Sequence, residues 1–588
     1  MNNKQLSRRD FIKITGAVAG GVAATQFIPP PVARAARLSD EFPTDGSGYI
    51  STMCEMCVWR CGVRAKVVDG RVVKLEGNPD HPHSGGKLCA RGQSGLMTTY
   101  DPDRVLTPLI RTGKRGEGLF RKASWDEALD IVAEKMLEIK KKYGPEAMVF
   151  SSTHNLSQPL FENILYGFGS PNYGTQRSLC FNAMINAHLL TYGIEEPSRN
   201  YDNVKFVLLV GRNMLEAIST SETSAMMEAH ARGAKIVYLD PRFTKTAALA
   251  DEWYPIRPGT DSAFLLAMLN VIVTNNLLAG NGAAEYILGY DKLPDAVKDY
   301  TPQWAAPITG VDAKVIERVA REFAAAAPEA MVHPGWRTSN FINSYQTERT
   351  IATINALSGN IAKPDGCLSV KTAAEGAGLA NPPQPPYPRI SAQRLDGIPY
   401  KYPLVPFKIG VFQEMRDAML SGKPYQAHGM FVSRQNPVLS LPDRKKTLQA
   451  LGKLDFIAVV DIILNDTSWF ADVVLPESSY LERFDPLLPV GDKVFIRQPV
   501  VETMGDTHSA IWIYKQLGER IGLKDFFQYK DEEDYIKQQI APLHAGLDEL
   551  RQKGFIALPP SEEKPAEKFT LNTPSGKVEV YSETLQKA

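Results

Sequence analysis

Four cysteines near the start of the chain constrain it more than any other feature. They read Cys54-Glu55-Met56-Cys57-Val58-Trp59-Arg60-Cys61, and then Cys89 after a gap of 27 residues. Three thiols come from one short loop and the fourth from a second loop. A cubane iron–sulfur cluster needs four thiolates converging from a local turn and a distant anchor. Tetrahedral zinc also takes four ligands and accepts C-x2-C, but structural zinc usually has two paired halves. Here the third ligand joins the first half and the second half is a lone Cys. The asymmetry favours a 4Fe-4S cluster, with zinc and disulfides as the alternatives. Between the loops, Val67-Val68-Asp69-Gly70-Arg71-Val72-Val73 alternates like a hairpin around an Asp-Gly turn.

The segment before the cysteines reads as a leader rather than as part of the fold. Ser7-Arg8-Arg9-Asp10-Phe11-Ile12-Lys13 is a twin-arginine motif, and 14–27 is a short Gly/Ala-rich apolar run. That run is too short to span a membrane. Ala33-Arg34-Ala35 supplies a small-x-small cleavage site. Residues 1–35 are therefore expected to direct export of an already folded protein to the periplasm.

Lys+Arg and Asp+Glu both count 66 among 588 residues. The leader holds five basic residues and one acidic, so the chain without it is four units acidic. That charge gives no electrostatic case for nucleic acid. No other apolar run approaches a membrane span, so a membrane link is expected to come through a partner. Cys180 and Cys367 are the two remaining cysteines.

From about residue 105 the pattern becomes one of strands alternating with helices. Ser124-Trp125-Asp126-Glu127 opens a helix as a capping box, with Trp125, Ala128, Leu129, Val132, Met136 and Ile139 on one face. Short strands are expected at 147–150, 204–210, 235–239, 330–332, 429–432 and 456–460, with helices near 220–232 and 262–275. Strands that are apolar throughout argue for parallel sheets covered on both faces. The fold class is α/β: a small N-terminal iron–sulfur domain followed by doubly wound parallel-sheet domains.

Ligands in such sheets bind beyond the carboxyl ends of the strands. Three strand ends here are polar and rich in turn residues: Gly211-Arg212-Asn213, Asp240-Pro241-Arg242 and Ser433-Arg434-Gln435-Asn436-Pro437. Arg257-Pro258-Gly259-Thr260-Asp261 lies downstream. Glycine and asparagine let backbone N–H groups approach a pyrophosphate, and an acidic residue accepts from a ribose or a guanine. Taken singly, each is more often a turn. Together they describe a long nucleotide lying across a crevice.

The cysteine spacing followed by Arg91-Gly92, the hairpin and Gly77-Asn78-Pro79 resemble the N-terminal cluster domain of the molybdopterin oxidoreductases. The likeness continues through Gly211 to Asn213, 239–247, Ala250-Asp251-Glu252-Trp253 and 257–261, and resumes at Asn436, Asp461, Asp466-Thr467 and 471–476. It implies a bis(molybdopterin guanine dinucleotide) cofactor with molybdenum, contacted by Gly211, Asn213, Asp240, Arg242, Gly259, Asp261, Asn436, Asp461, Thr467 and Asp472. It places Arg91 between cluster and pterin. It puts Cys180 at the position of the side-chain ligand to molybdenum, near a helix start that favours thiolate. The residue pattern of Cys180 on its own fits a small buried hydrophobe equally well.

The words Cys54 to Cys61 and His333-Pro334-Gly335-Trp336-Arg337 are most similar to catalytic subunits of polysulfide and thiosulfate reductases, with tetrathionate and arsenate reductases as neighbours. The resemblance implies that His154 and Arg337 face the metal, where arginine binds a small sulfur anion and histidine supplies a proton. It implies two partners, a ferredoxin-like iron–sulfur subunit and an integral membrane anchor that exchanges electrons with quinone. It divides the chain into a cluster domain (48–105), a molybdopterin-binding domain (106–150 and 334–480), a nested α/β domain (151–333) and a return segment (481–588). In the family, the phrase at 571–582 leads into a C-terminal barrel, so the chain is expected to stop where that barrel begins. The competing expectation is a cluster-only electron-transfer or inactive protein.

Overall fold

The computed structural model describes residues 48–587 apart from 218, 279, 281, 336, 337, 339, 362–365, 371–377, 389–392 and 560–570. The expected leader (1–35) and Arg337 lie outside the described residues.

The cysteine-bearing domain is a three-stranded antiparallel sheet of Tyr49–Met53, Gly62–Val68 and Arg71–Gly77. Asp69 and Gly70 turn the hairpin with φ of 49° and 71°, the two left-handed residues that a tight two-residue turn needs. Ile50, Val63, Ala65, Val72 and Leu75 bury one face together with Cys54 and Cys61.

The main sheet has seven strands in the order Phe120–Lys122, Leu109–Arg111, Val473–Pro476, Phe456–Asp461, Gly429–Ser433, Met148–Ser152 and Tyr173–Thr175. The last five run parallel, and the first two form an antiparallel edge. Alternate residues enter two separate cores. Met148, Phe150, Phe431, Ala458 and Val460 pack on one side with helices Trp125–Tyr143 and Ala510–Arg520. Val149, Met430, Val432, Ile457 and Val459 pack on the other with Phe412–Ser421 and Arg444–Leu451. Both faces are covered, which is why these strands read as apolar throughout. The Ser124 hydroxyl accepts from the Glu127 N–H at 3.2 Å, as the capping box requires.

A second sheet of four parallel strands runs Glu252–Tyr254, Lys235–Leu239, Phe206–Val210, Ala330–Pro334. Its boundaries differ from those expected. Tyr173–Thr175 pairs with Met148–Ser152, and helix Gln158–Phe168 packs in the main core, so the nested domain begins after Thr175 and not at 151. Helix Ser344–Leu357 and Cys367 pack in the nested core, which extends past 333. The open edge of Met148–Ser152 takes a neighbour from the next stretch of chain, and local sequence does not mark that pairing. The segment from 481 onward is not one unit. Asp485–Val490, Lys493–Arg497 and Phe555–Ala557 form an antiparallel sheet, while Val578–Glu579 pairs with Ile287–Leu288 of the nested domain. Among the described residues no helix is long and apolar enough to cross a membrane.

Candidate active site and cofactor crevice

The first strand ends at Met53 and delivers Cys54 to a closed loop, in which the Cys54 N–H donates to the Cys61 carbonyl at 2.9 Å. The Met56 N–H donates to Cys54 Sγ at 3.3 Å. Cys89 arrives from the other loop at the cap of the short helix Ala90–Gln93. Cys54 senses the charges of Cys57 and Cys61, and Cys61 those of Cys57 and Cys89. Burial pushes the Cys54 thiol up to about 12, so a cationic metal group must offset that burial to hold it as thiolate. None of the six cysteines is in a disulfide. No three His, Cys, Asp or Glu among the described residues group closely enough to hold one metal ion. A single tetrahedral zinc would draw its sulfurs to within about 4 Å of one another. Four thiols from two loops that sense one another's charge fit an iron–sulfur cluster.

Glu55, inside the cysteine loop, enters a buried charge network. It meets Arg434 at 2.8 Å and Arg497 at 3.0 Å, and pairs with Arg483. Asp485 meets Arg497 at 2.6 Å and Arg483 at 3.1 Å, and Glu477 pairs with Arg434. Three arginines thus face three carboxylates. Burial alone would raise Glu55, but Arg434, Arg483 and Arg497 hold it below the usual carboxylate range. Sequence reading missed this network. Its trace is the run of charges Glu482, Arg483 and Asp485 inside an apolar stretch.

A cavity of about 280 Å³ lies between the cysteine loop and the carboxyl ends of the main-sheet strands. Cys57, Arg60, His154, Arg434, Asp461, Glu477 and Arg483 line it. Asp461 ends strand Phe456–Asp461 and accepts from the Ile462 N–H at 2.7 Å and from Asn465 Nδ2 at 2.6 Å. Burial raises it to about 6. Beside it, Asn436 accepts from Thr467 Oγ1 at 2.8 Å and donates to Asp466 at 3.1 Å. His154 stands exposed at the rim with Nδ1 3.0 Å from Gln158 Oε1; burial of part of the ring, then the charge of Arg60, lowers its pKa.

The nested sheet gathers its expected residues at its own carboxyl edge. Gly211 follows Phe206–Val210 with φ of 59°. Asn213 accepts from Thr246 at 2.7 Å. Asp240 follows Lys235–Leu239, accepting from Tyr238 at 2.7 Å and from the Arg242 N–H at 2.8 Å. The Arg242 side chain is exposed, and Gly259 is exposed close by in sequence to the buried Asp261. Burial, then the charge of Asp240, raises Asp261, so the two carboxyls lie within electrostatic reach. Donors and acceptors at one edge of a parallel sheet suit a nucleotide.

Asp472 stands elsewhere. It precedes Val473–Pro476 at the amino edge of the main sheet, pairs with Arg111 and with Arg115 at 2.7 Å, and accepts from the Ile457 N–H at 2.7 Å. Its expected role at the cofactor gives way to clamping the antiparallel edge, because both oxygens are engaged on the far side of the sheet. Arg91 is exposed on its short helix. Cys180 follows the 3-10 turn Gln176–Leu179 and precedes helix Asn182–Tyr192 by two residues. It lines a different space of about 440 Å³ with Ser178, Asn182, Asn186 and Gln413. The structure therefore does not bring Cys180 and His154 to one cavity. Cys367 is a buried core thiol.

The family model described as molybdopterin oxidoreductase matches residues 104–520, and the one described as molybdopterin oxidoreductase Fe4S4 domain matches 49–101. The chain belongs to the molybdopterin oxidoreductases. It is an oxidoreductase whose cofactors are a molybdopterin and a 4Fe-4S cluster, and the four converging cysteines are the residues present that fit the cluster. It is similar to the thiosulfate reductase molybdopterin-containing subunit PhsA of Salmonella typhimurium, with 34% identity over 99% of this chain and 81% of the relative. It is 28% identical to the arsenate respiratory reductase subunit ArrA of a Shewanella species, over 100% and 78%. Among solved structures, acetylene hydratase from Pelobacter acetylenicus superposes with a TM-score of 0.80 at 27% identity, over 92% and 78%.

Proposed function

We propose that this chain is the catalytic subunit of an exported molybdenum-dependent reductase acting on a sulfur compound, with thiosulfate, polysulfide or tetrathionate as the substrate class. The observation that carries the reading is its near-full-length likeness to a thiosulfate reductase subunit. Cys54, Cys57, Cys61 and Cys89 hold the cluster that receives electrons. Cys180 is the side-chain ligand to molybdenum. Gly211, Asn213, Asp240, Arg242, Gly259 and Asp261 take one guanine dinucleotide, and Asn436, Asp461 and Thr467 the other. The bound centre supplies the two-electron exchange. Of the chain's own groups, Arg337 holds the oxyanion; His154, which opens on a separate cavity, is not assigned the proton. For thiosulfate, two electrons and two protons break the S–S bond and give one hydrogensulfite and one hydrogensulfide. The electrons come from a ferredoxin-like subunit and a quinone-linked membrane anchor.

The test is an anaerobic assay of the purified chain with a reduced viologen dye. Sulfide and sulfite in equal amounts from thiosulfate support the reading. Turnover of arsenate with none of the sulfur compounds contradicts it.

A further inference from the structure

Arg60 is a buried arginine of the cysteine loop. It lies between Cys57 and Cys61, is 9% exposed, and has a left-handed φ of 47°. Nη2 is shielded from solvent and meets no hydrogen-bond partner, and no ion pair joins the guanidinium to a described residue. The neighbouring carboxylates Glu55 and Asp485 are already held by Arg434, Arg483 and Arg497. A buried guanidinium without an acceptor is expensive, and native proteins satisfy such groups. Non-glycine residues in the left-handed region concentrate where strain serves a site.

The same side chain lines the cavity of about 280 Å³ shared with Cys57, His154 and Asp461. That volume lies near the lower end for ligand pockets, roughly 300 Å³, so one ring system with its polar edge fits and a whole dinucleotide does not. The cavity opens on the cluster loop at one wall and on the strand ends at the other.

We propose that Arg60 is an anchor for the acceptor atoms of the molybdopterin beside the cluster: its guanidinium borders this cavity and holds the cofactor's polar edge against the cysteine loop. Arg60 is a positioning residue. The inference rests on the family's cofactor and not on the sulfur substrate, so its failure leaves the proposed reaction untouched.

The experiment uses the full chain purified anaerobically with its cofactors, with Arg60→Gln and Arg60→Lys as variants. Iron, molybdenum and oxidised-pterin fluorescence are counted per chain before and after dialysis. Loss of a charge-assisted hydrogen bond predicts that Arg60→Gln keeps its iron but releases molybdenum and pterin together, roughly tenfold faster than the parent. Arg60→Lys, which keeps a donor and a charge, retains most of both. Arg60→Gln retaining pterin at the parent level overturns the proposal. So does loss of iron in step with pterin, since Arg60 is then an architectural residue of the cysteine loop. Unchanged pterin with a raised KM for thiosulfate also overturns it, because the anion held is then the substrate.

Discussion

Glu55 and Arg434 meet at 2.8 Å across 379 residues of sequence, and the contact joins the cysteine loop to the end of the main-sheet strand Gly429–Ser433. The cysteine loop is therefore held to the sheet by ion pairs, with Arg483 and Arg497 completing the grip on Glu55.

Removing one partner from a buried ion pair leaves the others uncompensated. Glu55→Gln leaves three arginines facing two carboxylates. Its side chain is 23% exposed, so the expected loss is about 2 kcal/mol, below the range for fully buried pairs. Denaturant unfolding of the parent and variant measures it, alongside the rate of iron loss. An unchanged midpoint with unchanged iron retention would show that the network does not hold the cluster loop.

Asp472 gives the opposite test. Asp472→Asn weakens the clamp to Arg111 and Arg115 and should lower the melting temperature, while molybdenum and pterin per chain stay at the parent level. Cofactor loss without a change in melting would return Asp472 to the cofactor site.

Asp461 makes stability depend on pH. Its folded pKa of about 6 exceeds the ordinary value of 3.8, so the folded state binds the extra proton between those limits. Stability therefore falls as pH rises from about 4 to 6, by about 3 kcal/mol in total, and then levels off. Asp461→Asn should flatten its share of that slope. Melting curves of both proteins from pH 5 to 7 check it; parallel profiles would mean that Asp461 ionises normally.

Much of this was legible in the sequence, for physical reasons that differ by element. The Asp69-Gly70 turn and the Ser124 cap are local, because a few residues determine each geometry. The strands Phe206–Val210 and Gly429–Ser433 announce themselves because burial on both faces demands apolar residues throughout. The pairing of Tyr173–Thr175 with Met148–Ser152 was not legible, and the nested boundary moved with it. Nor was the Glu55 network, whose members Glu55 and Arg497 lie 442 residues apart. Asp472 matched a family phrase, yet its position before a strand rather than after one turned it away from the crevice. Cys180 and His154 were expected together, but they open on separate cavities.

Export has a direct test outside the described residues. Arg8 and Arg9 changed together to Lys should leave precursor in the cytoplasm, seen by fractionation and immunoblot. Mature protein still reaching the periplasm would point to another route.

The central claim is that Cys180 holds molybdenum in a reductase of sulfur compounds. A soft thiolate sets the metal's potential and its open position, and serine of similar shape offers a hard oxygen instead. X-ray absorption at the molybdenum edge on the parent and on Cys180→Ser, each first shown to contain molybdenum and iron, reads the ligand directly. The account predicts one sulfur neighbour fewer in Cys180→Ser, an unchanged cluster signal and no thiosulfate reduction. An unchanged sulfur count in Cys180→Ser would contradict it and make Cys180 an ordinary thiol.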